Sequence, residues 1–206
     1  MRSTGLGHQL RQPDQIPAPR ERVLTYIRLQ QLDVTDMTET RGVVREHVET
    51  HPGVYFNELT RDLDIATGQA QYHLRRLLDS GVVDSEAVRG RTHYFPTGYD
   101  PWERRTIALL HRETVRSIIV YTLEASEPSA TELTEELGVA RSTVSWHVST
   151  LVEADIAEKI YDQQGRSYIR LTRPEETRDL LGEVTPSLPE RLVDRFTRLV
   201  DANFTD

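Results

Sequence analysis

ELTRDLDIATGQAQYHLRRLLDSGVV at 58–83 and ELTEELGVARSTVSWHVSTLVEADIA at 132–157 are two versions of one pattern. They align without a gap. Glu58/Glu132, Leu59/Leu133, Thr60/Thr134, Leu63/Leu137, Ala66/Ala140, His73/His147 and Leu77/Leu151 are identical pairs. Ile65/Val139, Ala70/Val144, Tyr72/Trp146, Leu74/Val148 and Val82/Ile156 are close substitutions. After one inserted residue the match resumes, with Arg89-Gly90-Arg91 against Gln164-Gly165-Arg166. Each tip leads into an aromatic-bearing run, THYF at 92–95 and SYIR at 167–170. Self-similarity of this extent marks a structural unit present twice.

Working outward, each copy predicts the same elements. In the first, Val43, Val44 and Val48 recur at helical spacing in a helix over 40–51, which Pro52-Gly53 stops. A second helix follows over 56–63, then a tight turn at 64–66. Thr67 is placed to cap a third helix reaching Asp79. Two strands, 82–88 and 91–95, flank Gly90. The second copy predicts helices over 114–125, 130–137 and 142–153, then strands over 156–161 and 166–171. Three helices followed by a two-stranded hairpin make a winged helix. The expected fold class is mainly α with small β-hairpins (α+β): two tandem winged helix-turn-helix domains plus N- and C-terminal helices. The expected divisions are an arm and helix over 1–36, a first domain over 37–98, a linker helix and second domain over 99–173, and C-terminal helices over 174–206.

This arrangement suits duplex DNA. The major groove admits one α-helix, and a helix-turn-helix fixes such a helix across a shorter one. The third helix then needs one apolar and one polar face. In the first copy Ala70, Leu74, Leu77 and Leu78 form the apolar stripe, leaving Thr67, Gln69, Gln71, Tyr72, Arg75 and Arg76 for other faces. Gln pairs bidentately with adenine, and Arg with guanine or phosphate. In the second copy Val144, Val148 and Leu151 point inward, leaving Arg141, Ser142, Thr143, Ser145, Trp146 and Ser149. Gly90 and Gly165 permit positive φ at the hairpin tips. Arg89, Arg91 and Arg166 beside them are candidates for phosphate or minor-groove contact.

Composition bounds the alternatives. The chain has 206 residues, with 33 Asp plus Glu against 25 Lys plus Arg, a formal net charge of -8. Lys159 is the single lysine. An acidic total counts against nucleic-acid binding, but acidic, lysine-poor composition also resembles that of proteins from extreme halophiles, whose cytoplasm is concentrated salt. A GC-rich genome favouring arginine codons is the plainer alternative, and the two are compatible. The absence of cysteine excludes disulfides, thiolate metal sites and a cysteine nucleophile. No apolar run reaches membrane-spanning length, and the N-terminus lacks the apolar centre of a secretory signal, so the cytoplasm is the expected location.

STVSWHVSTLVEADIAEK (142–159) followed by GRSYIRLT (165–172) resembles the recognition helix and wing of MarR- and ArsR-like bacterial and archaeal regulators. GVYFNELTRDLDIATGQAQYHLRRLLDSGVV (53–83) resembles the first module of archaeal tandem winged-helix regulators, especially haloarchaeal ones. The resemblance covers roughly 37 to 173. It implies that residues around Thr67–Arg76 and Arg141–Ser149 enter grooves and that Arg91 and Arg166 lie on wings. Lacking cysteine, the chain departs from the ArsR pattern, so thiolate metal sensing does not carry over. The third helices also hold few positive charges in their first halves.

Outside the repeat, 1–19 holds three prolines and no apolar periodicity, which predicts a mobile arm. Val23, Leu24, Ile27 and Leu32 mark an extra helix over 20–32. Asp100-Pro101 starts a linker helix over 101–110, with Trp102 as an apolar anchor. Pro174 opens a short helix. Leu192, Phe196, Leu199 and Val200 form a stripe on a last helix, suited to homodimer packing or to docking on the second unit.

His47 and His51 stand four apart on one helix, but no third ligand is near in sequence, so no metal site is expected. No nucleophile elbow, phosphate loop or metalloprotease pattern occurs. No catalytic residue and no cofactor is expected, and the leading expectation is a transcriptional regulator binding double-stranded DNA as a homodimer. The competing one is an acidic protein-interaction scaffold, similar to ScpB-like chromosome-condensation subunits or transcription-factor subunits.

Overall fold

A computed structural model describes residues 38–184. The arm, the helix expected over 20–32 and the last apolar stripe lie outside them. Helix α1 runs through 38–50. It buries Val44 and Val48 completely, whereas Val43 is exposed. Then come β1 (Val54–Tyr55), α2 (Phe56–Asp62), α3 (Thr67–Asp79), β2 (Val83–Val88) and β3 (Arg91–Pro96). The second unit follows with α4 (Pro101–Leu110), α5 (Glu113–Ala125), α6 (Ala130–Leu137), α7 (Arg141–Glu153), β4 (Ala157–Tyr161), β5 (Ser167–Leu171) and α8 (Pro174–Glu183). These are two tandem winged helix-turn-helix modules in an α+β fold, with α4 between them. Among the described residues no helix is long and apolar enough to cross a membrane.

Two local features differ from the sequence reading. The first sheet has three strands, not two: β1 pairs antiparallel with β3, Val54 opposite Tyr94 and Tyr55 opposite His93. A two-residue strand running straight into α2 has no room for alternation, so no periodic signal marks it. The second copy keeps the trace of this strand as a single bridge, Ser129 to Tyr168, at the equivalent positions. The second difference is the start of α3. Thr67 is its first helical residue, and the N-cap is Ala66, without a side-chain cap. Ala140 does the same for α7. The preceding turn puts Asp64 (φ 49) and its counterpart Gly138 (φ 62) in the left-handed region, which brings the chain into each helix one residue early.

Side-chain caps occur elsewhere. At α4 the Asp100 carboxylate accepts from the backbone N–H of Trp102 and Glu103, while Glu103 accepts from that of Asp100. Ser129 and Glu132 form the same capping box on α6.

The apolar residues form two cores. Val44, Val48, Val54, Leu59, Ala70, Leu74, Leu77 and Val83 make the first. The second, larger core is built on α4, α5, α7 and α8, and it also takes in Val88 and Phe95 from the first module's hairpin. Helix α4 lies between them. Its Trp102 is buried and donates Nε1–H to the Asp155 carbonyl at 2.8 Å. Arg104 reaches Asp84 and Glu86 on β2 at 3.5 and 3.3 Å. Just beyond α4, His111 Nε2 donates to the Pro52 carbonyl at 3.0 Å. The modules are therefore joined by packing and polar contacts along α4.

Candidate nucleic-acid interface

Helix α3 turns Ala70, His73, Leu74 and Leu77 into the protein. Thr67, Gln69, Gln71, Tyr72, Arg75 and Arg76 are all exposed. Helix α7 buries Val144, Val148, Thr150 and Leu151. It exposes Arg141, Ser142, Ser145 and Trp146 and leaves Thr143 and Ser149 partly covered. Both helices thus carry a polar outer face with one large aromatic on it, Tyr72 at 43% and Trp146 at 52% exposure. Each aromatic packs edge-on against the next residue, Tyr72 on His73 at 5.2 Å and Trp146 on His147 at 4.7 Å. His73 is buried, packing under the aromatic, whereas His147 is half-buried. Burial lowers the pKa of His147, with Arg112 adding to the effect.

A cleft of about 620 Å³ opens between α3, the first wing and the start of α2. Gln71 and Arg75 line one side, Arg91 and Thr92 the other, and Tyr55 and Asn57 the end. Among the described residues no aspartate or glutamate lines it. The Arg91 guanidinium lies 4.7 Å above the Tyr55 ring. Neither Arg75 nor Arg91 forms a salt bridge among the described residues. Two unneutralised guanidiniums beside amide and hydroxyl groups make an anion-binding cleft.

The other wing arginines are engaged. Arg89 (φ 49) and Gly90 (φ 79) make the tip of wing 1, between β2 and β3. The Arg89 guanidinium donates to Glu153 of α7 and lies 5.7 Å from the Trp146 ring centroid. Arg112 donates to the Arg89 carbonyl at 3.1 Å and reaches that of Val88 at 3.5 Å. Burial lowers the pKa of Arg112, and the positive charges of the nearby Arg91 and Arg89 lower it further. At the tip of wing 2, between β4 and β5, Arg166 is closed onto its own turn. Its Nε donates to Asp162 and its terminal NH2 to Gln164, both at 2.7 Å. The Arg166 backbone N–H also donates to Asp162 and is the main cause of that carboxyl's lowered pKa.

The structure brings Gln71, Arg75 and Arg91 to one cleft and sets Arg89 apart from it, on α7. Tyr55, Asn57, Arg112 and Glu153 were absent from the sequence reading. Tyr55 and Asn57 belong to the unrecognised strand and the turn of helix after it, and Arg112 and Glu153 act across modules. Among the described residues no group of three or more His, Asp or Glu is placed to hold a metal ion. His47 and His51 stack on each other at 4.4 Å.

Comparison with known proteins agrees with this architecture. Residues 38–107 match a family model described as an N-terminal HTH domain, and 109–160 match one described as a helix-turn-helix domain. An uncharacterized HTH-type transcriptional regulator of Methanocaldococcus jannaschii is 25% identical over 138 residues. That match covers 66% of this chain and 34% of the relative, so the chain spans about a third of the relative's length. The two successive matches meet inside the segment from α4 to α5, and the chain carries two tandem helix-turn-helix modules.

Proposed function

We propose that this chain is a non-enzymatic, DNA-binding transcriptional regulator that offers two winged-helix modules to duplex DNA. The observation that carries this reading is the first module's cleft. In a chain of net charge -8, Arg75 and Arg91 face each other there without a carboxylate in the lining. Such a site fits a phosphate backbone, and the exposed amide of Gln71 beside it suits an adenine edge. On α7, Ser142, Ser145 and Trp146 form a second face of the size a groove admits. The MarR- and ArsR-like resemblance, a cytoplasmic location and assembly as a homodimer are part of this reading. The stripe assigned to dimer packing lies outside the described residues.

The test is a mobility-shift and footprinting experiment, using the chain's own upstream region and a mixed-sequence duplex across a range of salt. Binding is expected, and Gln71→Ala is expected to change sequence preference more than affinity. No complex with either duplex at any salt would refute the reading. One observation favours the scaffold alternative: the second module exposes Glu132 and Glu135 on α6, and its wing arginine is already paired. A chain that ignores DNA and retains a protein partner in the same assay is the outcome that reading requires.

A further inference from the structure

We infer that the two modules divide the work of the proposed interface: the first grips the phosphate backbone through its arginine cleft, and the second presents α7, with Arg141 at its start, without an equivalent cleft. This rests on the DNA-binding reading and deepens it.

Equivalent positions in the two copies carry different electrostatics. Arg75 is replaced by Ser149 and Tyr55 by Ser129, so the second module lacks one cleft arginine and the ring beneath the other. Arg91 is matched by Arg166, but the two guanidiniums are held differently. Arg91 lies on an aromatic face with no carboxylate partner among the described residues. Arg166 is ringed by Asp162 and Gln164. Further along β5, Arg170 sits between Glu127 at 2.7 Å and Glu158 at 3.4 Å. A phosphate approaching either must displace a carboxylate already in place, exchanging one charge-assisted hydrogen bond for another. At Arg75 and Arg91 no carboxylate of the described residues has to be displaced. On the helix before α7, Glu135 and Glu136 stand where the first module has Arg61 and Asp62, which adds negative charge beside α7.

The tip of wing 1 shows the same division. Arg89 does not project from the surface but reaches α7, where it meets Glu153 and the Trp146 ring. Glu153 is the only carboxylate of α7, and Arg89 neutralises it. Helix α7 is therefore braced from the first module, not from its own wing. One hairpin performs both tasks, Arg91 facing the cleft and Arg89 bracing the second helix.

The test is a salt titration of binding to a mixed-sequence duplex, read by fluorescence anisotropy, for the full chain and its variants. Each phosphate contact contributes roughly 0.9 to the slope of log K against log salt. Arg75→Ala with Arg91→Ala is expected to lower affinity about tenfold or more and to reduce the slope by about two contacts. Arg166→Ala is expected to change affinity less than about threefold, with the slope unmoved. Thermal melts establish that each variant is folded, and Arg75→Gln with Arg91→Gln serves as a second pair. If Arg166→Ala costs as much as the cleft pair, or if the cleft variants bind like wild type, the division of labour is overturned while DNA binding stands. If wild type binds no duplex, the functional reading falls first and takes this inference with it.

Discussion

Arg89 at the tip of the first wing ion-pairs with Glu153 on α7, 64 positions along the chain and in the other module. The pair is solvent-accessible, so its direct contribution to stability is small, under about 1 kcal/mol. Its effect lies in local order. Arg89→Ala and Arg112→Ala are expected to raise amide exchange at residues 87–90 while the melting temperature barely moves. Hydrogen-exchange mass spectrometry checks this, and unchanged protection of the wing in the double variant would contradict the bracing role.

Gly53 sits at the close approach of the first module to α4. Its φ is +80, and a Cβ there would lie 2.5 Å from Ile107 Cγ2. Gly53→Ala combines a strained backbone with overpacking against a fully buried side chain. A destabilisation of at least about 2 kcal/mol is expected. Urea denaturation measures it, and a wild-type midpoint would show that the junction yields more readily than its packing implies.

His93 is buried on β3, donating Nδ1–H to the Gly53 carbonyl at 2.6 Å. Burial depresses its pKa from 6.5 to about 4. Between those values the unfolded chain binds a proton that the folded chain refuses. Stability is therefore complete above pH 6.5, falls as pH drops through that window, and levels off for this group below about 4. The contribution at stake is up to about 3 kcal/mol. His47 and His147, also depressed by burial, act with the same sign. Unfolding free energies between pH 4 and 8 should rise with pH, and His93→Gln should flatten the rise. A profile that falls with increasing pH across this range would exclude the assignment.

The chain has two tryptophans in contrasting settings. Trp102 is 5% exposed and Trp146 52%. Acrylamide should quench Trp146 and largely spare Trp102, and Trp146→Phe should remove the quenchable fraction. Saturating duplex DNA is expected to protect Trp146, because it stands on the outer face of α7. Equal quenching with and without bound DNA would place α7 away from the nucleic acid.

The helices were legible because burial imposes a period. Leu59, Leu74 and Leu77, with their counterparts Leu133, Val148 and Leu151, lie inside as the repeat requires. The Asp100-Pro101 start of α4 was readable because its cap is written in adjacent residues. The strand Val54–Tyr55 was not, since two residues carry no alternation, and the expected cap at Thr67 gave way to the geometry of the turn before it. Exposure of the α3 polar face followed from the apolar stripe alone. The partners of Arg89 and Arg166 did not, because pairing depends on which carboxylates the fold brings near. For Arg89 that carboxylate lies on α7, in the other copy. Such contacts have no sequence period to reveal them.

Val88 and Phe95 belong by sequence to the first copy and by packing to the second copy's core. Cutting between the copies, at residue 98 for example, would leave these two side chains facing water and strip α4 of part of its cover. The first unit could stand alone only with that face otherwise protected. In this chain the halves have become mutually dependent, so dissecting them would yield one damaged piece and one incomplete one, not a pair of working miniatures.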